Sequence, residues 1–201
     1  MTVKEPSYFY MKGFYYNTVE VEYMKASFVC LRPEVTLSDV QLLKAWTSDR
    51  DVTRFLNEEN NISGVLNTLL SRSDIPVLTP LFNRDGRFFM LCTRDGTPVG
   101  FMRMTGGARE MEMMLAIGDK GLWGRGLGSD AIRGALSKAF FEWRVEKMIA
   151  YIHPMNVRSL RAFERNGFSA MKETPSARRY ELSMNDYLQK LRAYNNAAQG
   201  A

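Results

Sequence analysis

From Arg87 onward the chain gives up helical spacing for strand-like runs, and that change of period limits its architecture more than any other feature. Arg87–Thr93 and Pro98–Thr105 read as two strands, joined by Arg94-Asp95-Gly96-Thr97, whose Asp-Gly pair accepts the positive-φ positions of a tight hairpin turn. A Gly106-Gly107 turn then leads into a third strand, Glu110–Ile117. The glycine-rich stretch 118–128 opens a helix predicted over Ser129–Trp143, followed by a strand over Lys147–Ile152 and a helix over Asn156–Asn166. Phe168–Lys172 and Arg179–Ser183 form a closing strand pair. An antiparallel meander that feeds strand-helix-strand-helix-strand-strand is an α/β (α+β) arrangement around a mixed sheet.

Upstream, Lys25–Arg32 reads as a strand ending at Pro33. Thr36, with Asp39 three residues on, has the form of an N-cap with an acidic N3, and Leu37, Val40, Leu43 and Trp46 follow at helical spacing. Asp51–Leu56 and Ile62–Leu70 read as further short helices. Residues 1–24 are rich in Tyr and Phe and form an arm or extra hairpin, 25–184 form the main domain, and 185–201 form a helical tail that frays from Asn195.

At 201 residues and 45% hydrophobic content, one domain with a substantial core is expected. No apolar run reaches the roughly 18 residues needed to span a bilayer, and the first residues lack a signal-peptide core, so a cytoplasmic protein is expected. Two cysteines, Cys30 and Cys92, and one histidine, His153, leave no disulfide framework and no metal centre; the thiols read as buried and free. The net charge of +5 is uneven. Through residue 117 there are 13 Lys/Arg against 14 Asp/Glu, and after it 14 against 8. A basic second half suits an anionic ligand. Its aromatics are not interleaved with Lys/Arg as stacking platforms for single strands would be, so nucleic acid is not expected as partner; with no spanning run, neither is a membrane.

The loop Trp123-Gly124-Arg125-Gly126-Leu127-Gly128-Ser129-Asp130 lies between strand and helix, where glycines let backbone N–H groups converge on an anion and the helix N-terminus adds unpaired donors. It is not a Walker A loop, since it ends Leu-Gly-Ser. Nor is it a dinucleotide fingerprint, because Gly128 falls one residue too early.

The stretch Glu112–Ile132, which contains this loop, resembles motif A of the GNAT N-acetyltransferase superfamily. Asn156–Phe168 resembles its motif B, of form N-x-x-S/A-x-x-x-x-E-x-x-G-F, at the family's separation of a helix and a strand. Ile117-Gly-Asp-Lys-x-x-Trp-Gly-Arg-Gly is most similar to the ribosomal-protein-alanine acetyltransferase branch. The resemblance implies a mostly antiparallel sheet of about seven strands with one splayed parallel pair, flanked by helices. It also implies acetyl-CoA as co-substrate, without metal, and a primary-amine acceptor: a protein N-terminal α-amine or a small molecule. A monomer or homodimer fits. A non-catalytic CoA-binding sensor or scaffold is the alternative.

By the same resemblance, the pyrophosphate would lie on Trp123, Gly124, Arg125, Gly126, Gly128 and Ser129. Trp123 is a departure, standing where the family's Q/R-x-x-G-x-G/A loop has Gln or Arg. The pantetheine arm would pair with backbone at Leu115, Ala116 and Ile117 and touch Asn156, Ser159 and Phe163. A backbone N–H near Leu115 or Ala116 would meet the oxyanion. Alternation places Met111, Met113, Leu115 and Ile117 on one face of their strand and Glu110 and Glu112 on the other. Glu112 matches the position of a catalytic carboxylate in many members, and Glu110 is the second candidate. Phe163 stands where relatives often carry a tyrosine, which removes the usual hydroxyl from beside the sulfur. His153 reads as structural.

Overall fold

The computed structural model describes residues 8–11, 14–17, 28–56, 66, 78–173 and 177–199. Strands β1 (Tyr8–Met11) and β2 (Phe14–Asn17) pair antiparallel as a separate two-stranded sheet. The rest of the expected arm and the expected helix over 62–70, apart from buried Leu66, lie outside the described residues.

The main sheet holds seven strands: β3 (Val29–Arg32), β4 (Arg87–Thr93), β5 (Pro98–Gly106), β6 (Met111–Ile117), β7 (Lys147–Ile152), β8 (Ser169–Glu173) and β9 (Arg178–Ser183). Their spatial order is β3-β4-β5-β6-β7-β9-β8. Every neighbouring pair is antiparallel except β6 with β7. The last strand therefore inserts between β7 and β8.

Helices cover both faces. Side chains alternate between two cores, as period-2 geometry requires. Phe89, Leu91, Met102, Met104, Met111 and Met113 face one core, which also receives Ile132, Leu136 and Phe140. Phe88, Met90, Phe101 and Ala116 face the other, with Val40, Leu43 and Val52. The near-continuous apolar run Phe88–Cys92 is what a strand covered on both sides needs.

Helix α1 (Leu37–Ser48) begins at the capping box read from Thr36 and Asp39. Asp39 also takes Arg32 at 2.6 Å, tying the helix start to β3. Helices α2 (Arg50–Thr53) and α3 (Thr79–Phe82) are single turns, so α2 is shorter than the Asp51–Leu56 pattern predicts.

Helix α4 (Leu127–Ser137) starts two residues before the expected Ser129, because Gly126 at φ +84° turns the chain directly into it. It ends in a π-helical turn at Lys138–Glu142, where the Trp143 N–H reaches back five residues to the Lys138 carbonyl. Helix α5 (Val157–Arg165) is capped by Asn156, whose side chain accepts from the Ser159 N–H at 3.2 Å. Helix α6 (Met184–Gln199) continues through the segment expected to fray. No helix among the described residues is long and apolar enough to cross a membrane.

Candidate active site

Only two residue pairs join β6 to β7, Met111↔Met148 and Glu112↔Ile149. Beyond them the strands diverge, and the β6 backbone from Met113 to Ile117 has no ladder partner on the β7 side. Backbone N–H and C=O groups do not stay unpaired without water or a ligand. The wedge is therefore a place for an extended molecule that bonds along a strand.

A cavity of about 330 Å³ fills this wedge. Its walls are β6 from Met113 to Ile117, the glycine loop, Ile132 of α4, β7 from Ala150 to Ile152, α5, and Asp51, Val52, Phe55 and Leu56 in and just after α2. Leu115, Ala116, Ile117, Trp123, Gly124, Gly126, Gly128, Ser129, Asn156, Ser159 and Phe163 all line it. Of the expected cofactor residues, only exposed Arg125 is not on its wall.

The loop is open toward the cavity. Gly124 and Gly126 have φ of +80° and +84°, and a Cβ on either would meet no atom within 4 Å among the described residues. Both requirements of an anion cradle are thus present, backbone that only glycine adopts easily and empty space above it.

Trp123, at the departing position, has a use of its own. Its indole N–H donates to the Ile117 carbonyl at 2.7 Å, and Arg158 of α5 lies 3.9 Å over its ring. One of the three strand residues expected to pair with a pantetheine arm therefore already has its carbonyl engaged.

Asn166, 5% exposed, was not singled out from the sequence. Its amide donates to the Ser129 carbonyl (3.0 Å), the Ser129 hydroxyl (2.9 Å) and the Ala162 carbonyl (2.8 Å), and so joins the C-terminus of α5 to the first turn of α4. Asp130 anchors the other side of that turn by accepting from the Phe28 and Val29 N–H groups. Arg158, Arg161 and Arg165 also line the cavity. Their i, i+3, i+7 spacing was the available signal, since it places three cations on one helix face.

The two glutamates lie on the face opposite α4 and α5. There Met114 and Ala116, in phase with Glu112, contact the second core. Glu112 is partly buried, between Thr105 on β5 and Ile149 on β7. Glu110, just before β6, is held by Arg179 at 2.7 Å and by Lys147 at 4.0 Å. Neither lines the cavity.

Arg179 also bonds Glu181 and donates to the Tyr151 hydroxyl at 3.1 Å. Its guanidinium is held above its ordinary range, chiefly by the hydrogen bonds to Glu110 and Glu181. Burial pulls Glu181 upward, but hydrogen bonds from Arg179 and Lys147 outweigh it, and the carboxyl titrates below its usual range.

His153 stands at the end of β7 with Nδ1 accepting the Met155 N–H at 3.1 Å and its ring against Phe55. Phe163 is 3% exposed and meets Phe168 edge-on. Both cysteines are free; Cys92 is buried as read, and burial raises its thiol, while Cys30 is exposed at the sheet edge. Among the described residues, no group of three or more His, Cys, Asp or Glu is placed to hold a metal ion.

A mixed sheet opened between its parallel strands, with a glycine cradle at one end of the opening, defines a GNAT-type fold. The family model described as Acetyltransferase (GNAT) domain matches residues 29–169, and the chain belongs to that family of acetyltransferases. Among solved structures it is similar to aminoglycoside acetyltransferase AAC(6')-Ib in complex with coenzyme A and kanamycin. That match has 16% identity over 80% of this chain and 98% of that one, at a TM-score of 0.64. Spermidine N-acetyltransferase from Vibrio cholerae, in complex with CoA and spermine, matches at 15% identity over 80% and 98%, with a TM-score of 0.65. A domain from Methanocaldococcus jannaschii matches at 22% over 78% and 99%, with a TM-score of 0.60. No curated protein matches the chain.

Proposed function

We propose that this acetyltransferase moves acetyl from acetyl-CoA directly to a primary amine, either a protein N-terminal α-amine or a small-molecule amine. The observation that carries the reading is the wedge between β6 and β7, with its unpaired strand backbone and the empty glycine cradle beside it. Solved structures of the same fold hold CoA together with an aminoglycoside or a polyamine.

The pyrophosphate takes the N–H groups around Gly124, Gly126 and Gly128, with Ser129 at the helix start. Arg125, Arg158, Arg161 and Arg165 supply positive charge around it. The pantetheine arm extends along Leu115 and Ala116, with Asn156, Ser159 and Phe163 on its other side. Trp123 and Ile117 close the end near the cradle.

An ammonium group is not a nucleophile, so the acceptor must lose a proton. A lysine-like amine, with a pKa of about 10.4, needs more help than an α-amine near 8. Glu112 is the base, acting through water from the acceptor face. Glu110 is the second candidate, and its carboxylate is paired with Arg179 and Lys147. A backbone N–H near Leu115 or Ala116 meets the developing oxyanion.

The test is calorimetric titration with acetyl-CoA, followed by a turnover panel of a polyamine, an aminoglycoside and peptides with free N-termini. Micromolar binding lost in the Gly126→Glu, Gly128→Glu variant, and turnover of one acceptor class, is the expected result. Turnover that survives Glu112→Gln refutes the base assignment. Binding without turnover of any amine leaves a CoA-binding sensor instead.

A further inference from the structure

Phe163 leaves the departing sulfur without the hydroxyl that a tyrosine there would supply. Among the described residues, three that line the cavity carry a hydroxyl: Ser129, Ser159 and Tyr151. Ser129 sits at the start of α4 with its Oγ accepting from Asn166, at the cradle end of the cavity. Ser159 lies in the first turn of α5. Tyr151 differs from both in chemistry and in place. Its hydroxyl is a phenol, a far better acid than an aliphatic alcohol.

Tyr151 is two residues beyond Ile149, the last residue of β7 that pairs with β6. It therefore stands where the strands part, on the same sheet face as Glu112. It is 42% exposed, unusually open for a large side chain on an interior strand. Its oxygen accepts from Arg179 Nη1 at 3.1 Å. The other two nitrogens of that guanidinium are fixed by Glu110 at 2.7 Å and Glu181. The cation that faces the phenol is thus positioned before substrate arrives, and it is oriented to stabilise a phenolate.

We infer that Tyr151 is the proton donor to the leaving sulfur, with Arg179 as its positioning residue; this rests on the acetyl transfer proposed above. The amine nitrogen bonds to the thioester carbonyl carbon and its proton passes through water to Glu112. As the C–S bond breaks, the sulfur keeps the bonding pair and takes the Tyr151 proton. The phenolate faces Arg179 until it regains a proton through solvent, equivalent to the one Glu112 releases. The net change is amine plus thioester to amide plus thiol, with both side chains restored. Glu110, read from the sequence as a second base, becomes one of the two carboxylates that hold Arg179 in place.

Tyr151→Phe removes one oxygen from an exposed ring and leaves the fold intact. The measurements are steady-state kinetics of CoA thiol release, with the amine found in the turnover panel, and calorimetry with acetyl-CoA. The expected result is a fall in kcat of at least tenfold, with acetyl-CoA affinity and the amine KM within twofold of wild type. A kcat within twofold of wild type overturns the inference. So does a higher amine KM at unchanged kcat, which makes Tyr151 an acceptor contact. Arg179→Met must lower kcat in the native background and have little further effect beside Tyr151→Phe; full additivity of the two also overturns it. A wild type that binds acetyl-CoA but turns over no amine is a failure of the proposed function, separate from these outcomes.

Discussion

Replacing Asn166 separates two explanations of how the cleft is held together. If the residue matters for shape, Asp, its isostere, is the mildest substitution. If it matters as a donor, Asp is the worst, because its carboxylate then faces the Ser129 and Ala162 carbonyls, which the amide now satisfies. Asn166→Ala forfeits the two N–H donors that serve its three acceptors, about 1 kcal/mol each, and leaves part-buried carbonyls short of a partner, so a loss of roughly 2–3 kcal/mol is expected. For a domain of this size that lowers Tm by about 5–10 °C. Asn166→Asp should exceed it at pH 8. Desolvation and the facing carbonyls raise the folded-state pKa of the introduced carboxyl, so the folded state binds the proton more tightly than the unfolded chain. Its stability then falls as pH rises, and at pH 5 the protonated acid recovers a donor and part of the loss. Urea unfolding of wild type and both variants at pH 5 and 8 reads this directly. If Asp is milder than Ala at pH 8, or if the Asp deficit does not shrink at pH 5, donation to α4 is not what Asn166 supplies.

A Cβ at Gly118 would lie 2.1 Å from Cδ2 of Trp46, so Gly118→Ala is expected to cost about 1–3 kcal/mol by overpacking. Thermal unfolding of the double variant with Trp46→Leu should show less than the sum of the two single losses. Glu181 has a depressed carboxyl, so its ion pairs stabilise the fold above the ordinary carboxyl range near 4.3 and are lost as pH falls through the lower folded-state value. Glu181→Gln should therefore be less stable than wild type at pH 7, with the gap closing by pH 3, as followed by circular dichroism.

What the sequence made legible was local. The hairpin at Asp95-Gly96, the cap at Thr36 and Asp39, the alternation along β6 and the glycine loop each depend on a few neighbouring residues, and each is where its pattern places it. The α4 boundary moved by two residues because a left-handed Gly126 starts the helix earlier than hydrophobic spacing reveals. What escaped was long-range. Arg179 reaches Glu110 across 69 positions, and Asn166 reaches Ser129 across 37. Trp123 stands out in the sequence only as a departure from the loop pattern, because its bond to the Ile117 carbonyl depends on how the loop folds back over the strand. The insertion of β9 between β7 and β8 has no local signature either, because strand order in a sheet is decided by which pairings bury the most surface.

That insertion also sets a timetable. During synthesis the meander β4-β5-β6 pairs as soon as it emerges, since its partners are adjacent in the chain. The last strand of the main sheet to be made, β9, is an interior one, and until it arrives β7 has an open flank and β8 has nothing to pair with. Arg179, which orders Glu110, Glu181 and Tyr151, arrives on that strand. A nascent chain that has not yet extruded β9 can therefore display its glycine cradle while Arg179 and the groups it orders are still unassembled.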